Sequence, residues 1–148
     1  MTRQANLVVY LALLLGALSA RAVEPSPVGY WTVFDDDTGN PDAIIEIQTQ
    51  RGVLIGWIDK IFDPFKDSNP PRCTACEGEL KNAPVIGLKI IQDMQPAGDT
   101  LRGYIMDPES GKVYNATMSL AEQGQKLEVC GYIGIPLFGR CQTWERVE

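Results

Sequence analysis

Cysteine is the residue type in this 148-residue chain with the clearest capacity for chemistry. Cys73 and Cys76 stand two residues apart in "NPPRCTACEGEL", a spacing that suits a redox pair, half of a zinc site or a short disulfide. A redox pair needs a thiolate of low pKa, which a helix N-terminus helps to provide. Arg72 would favour such a thiolate, but two prolines precede the pair, Glu77 and Glu79 would oppose it, and no helical pattern follows.

The second pair of cysteines lies in the last two apolar runs of the chain. If these runs form a hairpin around "GIPLFG", Cys130 can lie opposite Cys141. The same register pairs Leu127 with Trp144 on one face of the sheet and Lys126 with Glu145 on the other, and both the apolar pair and the oppositely charged pair are favourable. Directly opposed residues have Cβ atoms about 4.5–5.5 Å apart, which is close enough for a cross-strand disulfide after a small adjustment.

Pairing Cys130 with Cys141 leaves Cys73 and Cys76 as partners. Four cysteines allow three connectivities, and the sequence alone does not choose among them. An even count in an exported chain favours disulfides. The alternatives are a thiol-redox protein that uses Cys73 and Cys76, and a four-sulfur zinc site whose second pair would be spaced too widely.

The sequence contains no histidine, so catalytic and metal-binding mechanisms that depend on imidazole are excluded. The formal net charge is −6, and removal of Arg3 and Arg21 with an N-terminal signal would make it −8. Such a chain lacks the clustered Lys and Arg that bind nucleic acid or anionic lipid. We predict a protein that is not an enzyme and has no metal, cofactor or nucleic-acid partner.

Two groups of carboxylates are weak candidates for chemistry. Asp35, Asp36 and Asp37 before Gly39 resemble the start of a calcium loop, but the closing Glu is missing at the required place. Asp107 and Glu109 would be the acids of a paired-carboxylate hydrolase. Turn chemistry explains both groups better. In the second turn Asp107 caps the turn and Gly111 supplies a positive φ.

The N-terminal residues have the pattern of an export signal. Arg3 precedes an apolar run from Leu7 to Leu18, and Ala20-Arg21-Ala22 fits the A-x-A cleavage pattern. The run is about 12 residues, whereas a membrane-spanning helix needs roughly 20. We predict a signal peptide at residues 1–22 and a domain at residues 23–148, with cleavage after Ala20 as the alternative. The protein would then be periplasmic or secreted, without a membrane span.

The remaining sequence predicts an all-β fold that must position these residues. Turn signals recur at short intervals and separate eight runs rich in β-branched, aromatic and aliphatic residues. In "KVYNATMSL", residues Tyr114, Ala116, Met118 and Leu120 share one face and polar residues occupy the other. One apolar face and one wet face are typical of antiparallel sheets. We predict about eight strands that close into a single barrel, interrupted by a long loop at residues 63–84.

Several motifs together resemble a known bacterial family. They are "GYWTV" near the start, "CTACEGELKNAPVIGL" in the long loop, "DPESGKVYNATMSL" in the middle and "GYIGIPLFGRCQTWERV" at the end. The chain resembles the exported family of domain of unknown function 2147 (DUF2147) over nearly all of its predicted mature length. The resemblance implies a small lipocalin-like β-barrel, and it supplies no catalytic residues.

Gly29-x-Trp31 at the start and Arg146 at the end match the residues by which lipocalin-type barrels close their base. A guanidinium over an indole face gains on the order of 1 kcal/mol, and more when water is excluded. We predict a structural contact between Trp31 and Arg146. The alternative is an ordinary core tryptophan and a surface arginine.

An eight-stranded barrel is either filled by side chains or just wide enough for one small ligand. The expected interior residues are Trp31, Ile45, Ile47, Trp57, Tyr104, Tyr114, Met118, Leu127 and Trp144, and their bulk favours a filled interior. If a ligand does bind, we expect it to contact Trp57, Tyr104, Tyr114 and Met118. "IGIPLFG" would form either an exposed apolar tip or a cover over the barrel mouth.

We predict a monomeric exported barrel that binds a small apolar or amphiphilic ligand. One alternative is an envelope structural or interaction module, which requires a filled barrel and an exposed 133–138 tip. The other is the thiol-redox protein, which requires at least two reactive thiols in the native state.

Overall fold

The computed structural model describes residues 23–62 and 70–148, and in these ranges the chain forms one closed antiparallel barrel. Its eight strands are β1 (Gly29–Phe34), β2 (Pro41–Gln50), β3 (Val53–Ile61), β4 (Lys89–Ala97), β5 (Thr100–Met106), β6 (Val113–Ala121), β7 (Lys126–Tyr132) and β8 (Arg140–Arg146). Each strand pairs with the next, and β1 pairs with β8. The predicted eight-stranded barrel is confirmed.

The predicted signal peptide and its cleavage sites lie outside the described residues, as do residues 63–69 of the predicted long loop. Among the residues that are described, no helix is long and apolar enough to cross a membrane.

Alternation of apolar and polar residues sets which face of each strand is buried. Strand β6 lies between β5 and β7, and in it Ala116 and Met118 are buried while Asn115 is exposed. The inward residues of neighbouring strands come together through the register, as in the pairing of Met118 with Leu101 and Val129. Burial of such a side chain stabilises the fold by about 1.5–3 kcal/mol.

One end of the barrel is closed by Trp31 and Arg146, which are register partners in β1 and β8. Trp31 is fully buried, and its Nε1 donates a 2.7 Å hydrogen bond to the Pro27 carbonyl. The Arg146 Cζ lies 4.3 Å from the centre of the indole ring. The Arg146 guanidinium also donates to the carbonyls of Gly124 and Ser26, each at 2.7 Å, and of Val28 at 3.1 Å. The expected contact between the two side chains is therefore present.

Gly29 is required by the close approach of Arg146. Its φ is +133°, and a Cβ at this position would lie 2.9 Å from Arg146 Nη1. A larger residue would both strain the backbone and displace the guanidinium from the indole. Gly29, Trp31 and Arg146 thus pack together at the closed end of the barrel.

The closed half of the barrel is filled by side chains. Its fully buried residues include Trp31, Ile47, Met94, Met118 and Leu127. Because the strands are antiparallel, the β2–β3, β4–β5 and β6–β7 turns lie at this end. The β1–β2, β3–β4, β5–β6 and β7–β8 connections lie at the other end, which we call the mouth.

Both predicted disulfides are confirmed. Cys130 and Cys141 are register partners in β7 and β8 with Cα atoms 4.0 Å apart, and Cys73 bonds to Cys76 in the long loop. The predicted pairings of Leu127 with Trp144 and of Lys126 with Glu145 are present as well. Glu128 lies near the Cys130–Cys141 bond, but bonded sulfurs offer no thiolate to a metal.

The Cys73–Cys76 disulfide is buried between the long loop and the β5–β6 hairpin. Its sulfur-bearing residues expose 0% and 1% of their surface. The loop folds back on itself, with hydrogen bonds from the Cys73 amide to the Ala83 carbonyl and from the Asn82 amide to the Cys73 carbonyl. Cys73 Sγ lies 3.1 Å from the Pro108 carbonyl oxygen, which is a packing contact because a bonded sulfur carries no proton. The disulfide therefore holds the loop against the hairpin.

The two disulfides are expected to differ in their resistance to reductant. Untreated native protein should show no thiol that reacts with a thiol-specific dye, since all four cysteines are bonded. Mild reductant should first release the two thiols of Cys130 and Cys141, because Cys141 is exposed. Cys73 and Cys76 should react only when denaturant is added. Cys130→Ser/Cys141→Ser is the control that should remove the early phase, and two reactive thiols in untreated protein would contradict this account.

Candidate ligand cavity

A cavity of about 1120 Å³ opens at the mouth and extends into the barrel between the strands. It is half open to solvent, and residues from all eight strands contribute to its walls. Binding sites for small molecules commonly enclose about 300–1000 Å³, so the space is sufficient for one small molecule.

The inner walls of the cavity are apolar. They are formed by Ile45, Ile58, Ile90, Val129 and Trp144, which lie on five different strands. Each of these side chains exposes 5% or less of its surface. The inner end of the cavity is therefore apolar and little exposed to water.

A few polar groups lie among the apolar walls. The side-chain oxygen of Gln142 accepts a 3.3 Å hydrogen bond from Trp144 Nε1, and both residues line the cavity. Tyr114 and Tyr132, which are both half-buried, are also among the lining residues. Sparse polar groups of this kind orient a ligand that is otherwise held by apolar contacts.

Two turns of the same construction border the mouth. In the β1–β2 turn, the Gly39 amide donates to the Asp35 carbonyl at 2.8 Å and the Thr38 hydroxyl donates to the Asp35 carboxylate at 2.7 Å. In the β5–β6 turn, the Gly111 amide donates to the Asp107 carbonyl at 2.8 Å, and the Ser110 hydroxyl donates to the Asp107 carboxylate at 2.6 Å.

These bonds agree with the turn interpretation of both acidic groups. Asp107 also accepts from the Glu109 amide at 2.9 Å, so its carboxylate caps the turn. Gly111 has a φ of +70°, as predicted.

Residues 70–84 of the long loop and the β7–β8 connection also border the mouth. Among the described lining residues, the cations are Arg72 of the loop and Arg140 of β8, and Arg140 forms an ion pair with Asp36. Ile133, Ile135, Leu137 and Phe138 expose 55–82% of their surface, and we call them the apolar tip. Ile133 and Phe138 also line the cavity. The tip therefore borders the mouth and does not fold over it.

The residues predicted to contact a ligand are not brought together. Tyr114 lines the cavity, whereas Met118 is buried in the filled half of the barrel. The prediction that Trp57 and Tyr104 lie in the interior is wrong. Tyr104 is 46% exposed on the outer face opposite Asn115, and half-buried Trp57 is opposite Glu46, also on the outer face.

The prediction of a filled interior holds for only half of the barrel. The closed end is packed as expected, but the volume around Ile45 and Trp144 opens into the cavity. Sequence analysis also missed Ile58, Ile105 and Gln142. Side chains two or four residues apart in a strand lie on the same face. Alternation therefore places Ile105 on the inward face of Leu101 and Gln142 on the inward face of Trp144.

Residues 29–146 match the sequence model of a family described as "Uncharacterized protein conserved in bacteria (DUF2147)". No curated protein matches the chain. A solved structure described as "Protein HP1028 from the human pathogen Helicobacter pylori belongs to the lipocalin family" is similar, with a TM-score of 0.70 and 16% identity over 84% of each chain. At this identity the likeness is one of fold.

Proposed function

Because the chain belongs to the DUF2147 family of uncharacterized bacterial proteins, we propose a function from the geometry of its own barrel: it binds one small apolar or amphiphilic molecule. The observation that carries this proposal is the half-open cavity with an apolar inner end. The apolar part of the ligand lies against Ile58, Val129 and Trp144, and its polar part lies at the mouth.

Apolar burial supplies the driving force for this binding. Each Å² of apolar surface removed from water contributes about 25 cal/mol, so a short alkyl chain or a ring system is sufficient for measurable affinity. The cavity is largely formed without the ligand, since hydrogen-bonded strands and the two disulfides hold its walls. Little ordering is then needed when the ligand enters.

The same geometry separates this proposal from its alternatives. An interaction module with a filled barrel does not leave a cavity at the mouth. A thiol-redox protein needs accessible thiols, whereas Cys73 and Cys76 are bonded and buried. The apolar tip is part of the border of the cavity and is consistent with passage of an apolar molecule.

The proposal includes an extracytoplasmic location. Two disulfides are typical of oxidising compartments, and the N-terminal pattern at residues 1–22 is that of an export signal. We propose that the protein acts without catalysis in the periplasm or outside the cell, as a monomer that holds or carries its ligand.

Binding of n-dodecyl maltoside below its micellar concentration tests the proposal, because this probe has an apolar chain and an uncharged head group. Calorimetric titration should show saturable binding of one molecule per chain. Val33→Trp/Ile105→Trp should weaken it by about tenfold or more, since the added indoles reach into the cavity from opposite strands.

Thr32→Trp/Tyr104→Trp is the matched control, because it places the same side chain at neighbouring outward positions on the same strands. Circular dichroism should show that both variants are folded. Absence of binding to the native protein, or equal binding by the two variants, would refute the proposal.

A further inference from the structure

We propose that reduction of the Cys130–Cys141 disulfide creates a zinc site, in which the two thiolates and the carboxylate of Glu128 are the ligands. The ligand atoms of these three residues lie within 4.8 Å of one another. The site is on the outer face of β7 and β8, so it stands apart from the cavity and from the function proposed for it.

The register of β7 and β8 brings the three ligands together. Cys130 is directly opposite Cys141, and their Cα atoms are 4.0 Å apart. Glu128 lies two residues before Cys130, so alternation along β7 directs both side chains to the same face. The sequence argument against zinc rests on spacing along the chain, which matters for ligands held by one turn. Here the pairing of two strands places the sulfurs side by side.

Two thiolates and one carboxylate are a ligand set that Zn²⁺ accepts, with water in the fourth position. Tetrahedral coordination with Zn–S distances of about 2.3 Å places two sulfurs roughly 3.8 Å apart. The sulfurs of Cys130 and Cys141 are bonded in the oxidised protein, and after reduction they need to separate only to that distance. Glu128 and Cys141 are exposed, so a metal ion and its water can reach the site from solvent.

Formation of the site needs a reductant, and a dithiol supplies the required chemistry. It gives two electrons to the Cys130–Cys141 bond, its own two sulfurs form a disulfide, and its two protons pass to the released thiols. Zn²⁺ then displaces these two protons, which go to water. The Cys73–Cys76 disulfide is buried and stays bonded under these conditions.

The charges on this face of β7 are compatible with a bound cation. Lys126, two residues before Glu128, is paired with Glu122 at 2.9 Å. Thr143, the residue opposite Glu128 in β8, is uncharged. An incoming Zn²⁺ is therefore attracted by Glu128, while the neighbouring lysine is engaged with another carboxylate.

Bound zinc would keep β7 joined to β8 after the disulfide is reduced. The disulfide lies one residue from the end of the paired region, next to the connection that carries the apolar tip. A metal ion held by both sulfurs makes the same link between the strands. Zinc should therefore stabilise the reduced protein and have no such effect on the oxidised protein.

Titration of Zn²⁺ in competition with a chromophoric zinc indicator tests the proposal. The folded protein is treated with dithiothreitol without denaturant, and the reductant is removed in the absence of oxygen. We expect two reactive thiols and one bound Zn²⁺ per reduced chain, and no comparable binding by the oxidised chain. Zinc should also raise the Tm of the reduced protein alone.

Glu128→Gln should weaken zinc binding to the reduced protein by about tenfold or more, because even a group that only supports a ligand typically contributes that much. Glu145→Gln is the matched control, since it removes an exposed carboxylate from the outer face of β8 and should leave the affinity unchanged. Cys130→Ser/Cys141→Ser should abolish binding, and circular dichroism should show that all three variants are folded.

Binding of zinc that is equal in the oxidised and reduced proteins, or that survives Cys130→Ser/Cys141→Ser, would overturn the inference. So would a reduced protein that binds no zinc, or a folded protein from which dithiothreitol releases no thiols. Equal weakening by Glu128→Gln and Glu145→Gln would show that Glu128 acts through net charge and is not a ligand. These results leave the proposed cavity function untouched, because that function is measured with a different probe.

Discussion

Trp31→Ala is expected to lower the free energy of unfolding by about 3–5 kcal/mol, the range found when a buried tryptophan is truncated. The side chain is fully buried, and its loss would open a cavity at the closed end of the barrel. It would also remove the partner of the Arg146 guanidinium and the Nε1 hydrogen bond to the Pro27 carbonyl. Urea denaturation followed by circular dichroism measures the change.

Trp57→Ala is the matched control for Trp31→Ala. Trp57 is half-buried on the outer face, so the same truncation should cost about 1–2 kcal/mol. If the two substitutions cost the same, Trp31 does not have the structural role that its contacts with Arg146 indicate.

Gly111→Ala is the second substitution with a large expected effect, a loss of about 2–5 kcal/mol. The residue has a φ of +70°, which costs a residue with a Cβ about 1–2 kcal/mol. Its Cβ would also lie 2.6 Å from the Ala75 carbonyl oxygen and 2.9 Å from Cys76 Cα. The long loop would have to move away from the β5–β6 turn, which adds about 1–3 kcal/mol. Thermal and urea denaturation measure the loss.

Gly39→Ala separates backbone strain from the clash. Gly39 has the same φ of +70° in the equivalent β1–β2 turn, but no atom lies within 4 Å of its added Cβ. It should therefore lose only about 1–2 kcal/mol. Equal losses at Gly39 and Gly111 would show that the loop does not pack against the β5–β6 turn as described.

Local patterns in the sequence are sufficient to predict much of this fold. The regular spacing of turns predicts eight strands, and the alternation in "KVYNATMSL" assigns the inward face of β6 correctly. The register of β7 and β8 follows from Cys130 and Cys141, because one pairing satisfies the disulfide, the apolar pair and the charged pair together.

The positions of Trp57 and Tyr104 show where this reasoning fails. Both are expected in the interior from the sequence, although alternation in β5 places Leu101 and Ile105 inward and Tyr104 outward. In β3 the register shifts beside Ile45 and Ile58, and Trp57 pairs with outward Glu46. Residue type is a weaker guide to the face of a strand than its register partner.

The cavity depends on tertiary contacts that local sequence patterns do not predict. The turns around Asp35 and Asp107 are predictable one by one, but only closure of the barrel places them on opposite sides of a single opening. Packing of the Cys73–Cys76 loop on the β5–β6 turn likewise joins residues more than 30 positions apart. The separation into a filled half and an open half follows from these contacts.

The central claim is that a ligand enters the barrel, and methyl-resolved NMR during titration with n-dodecyl maltoside tests it most directly. We predict saturable shifts for the methyl groups of Ile58, Ile90 and Val129 on the cavity walls, and none for Ile47 in the filled half. Shifts confined to the exposed methyl groups of Ile135 and Leu137, or no shifts at all, would contradict the claim.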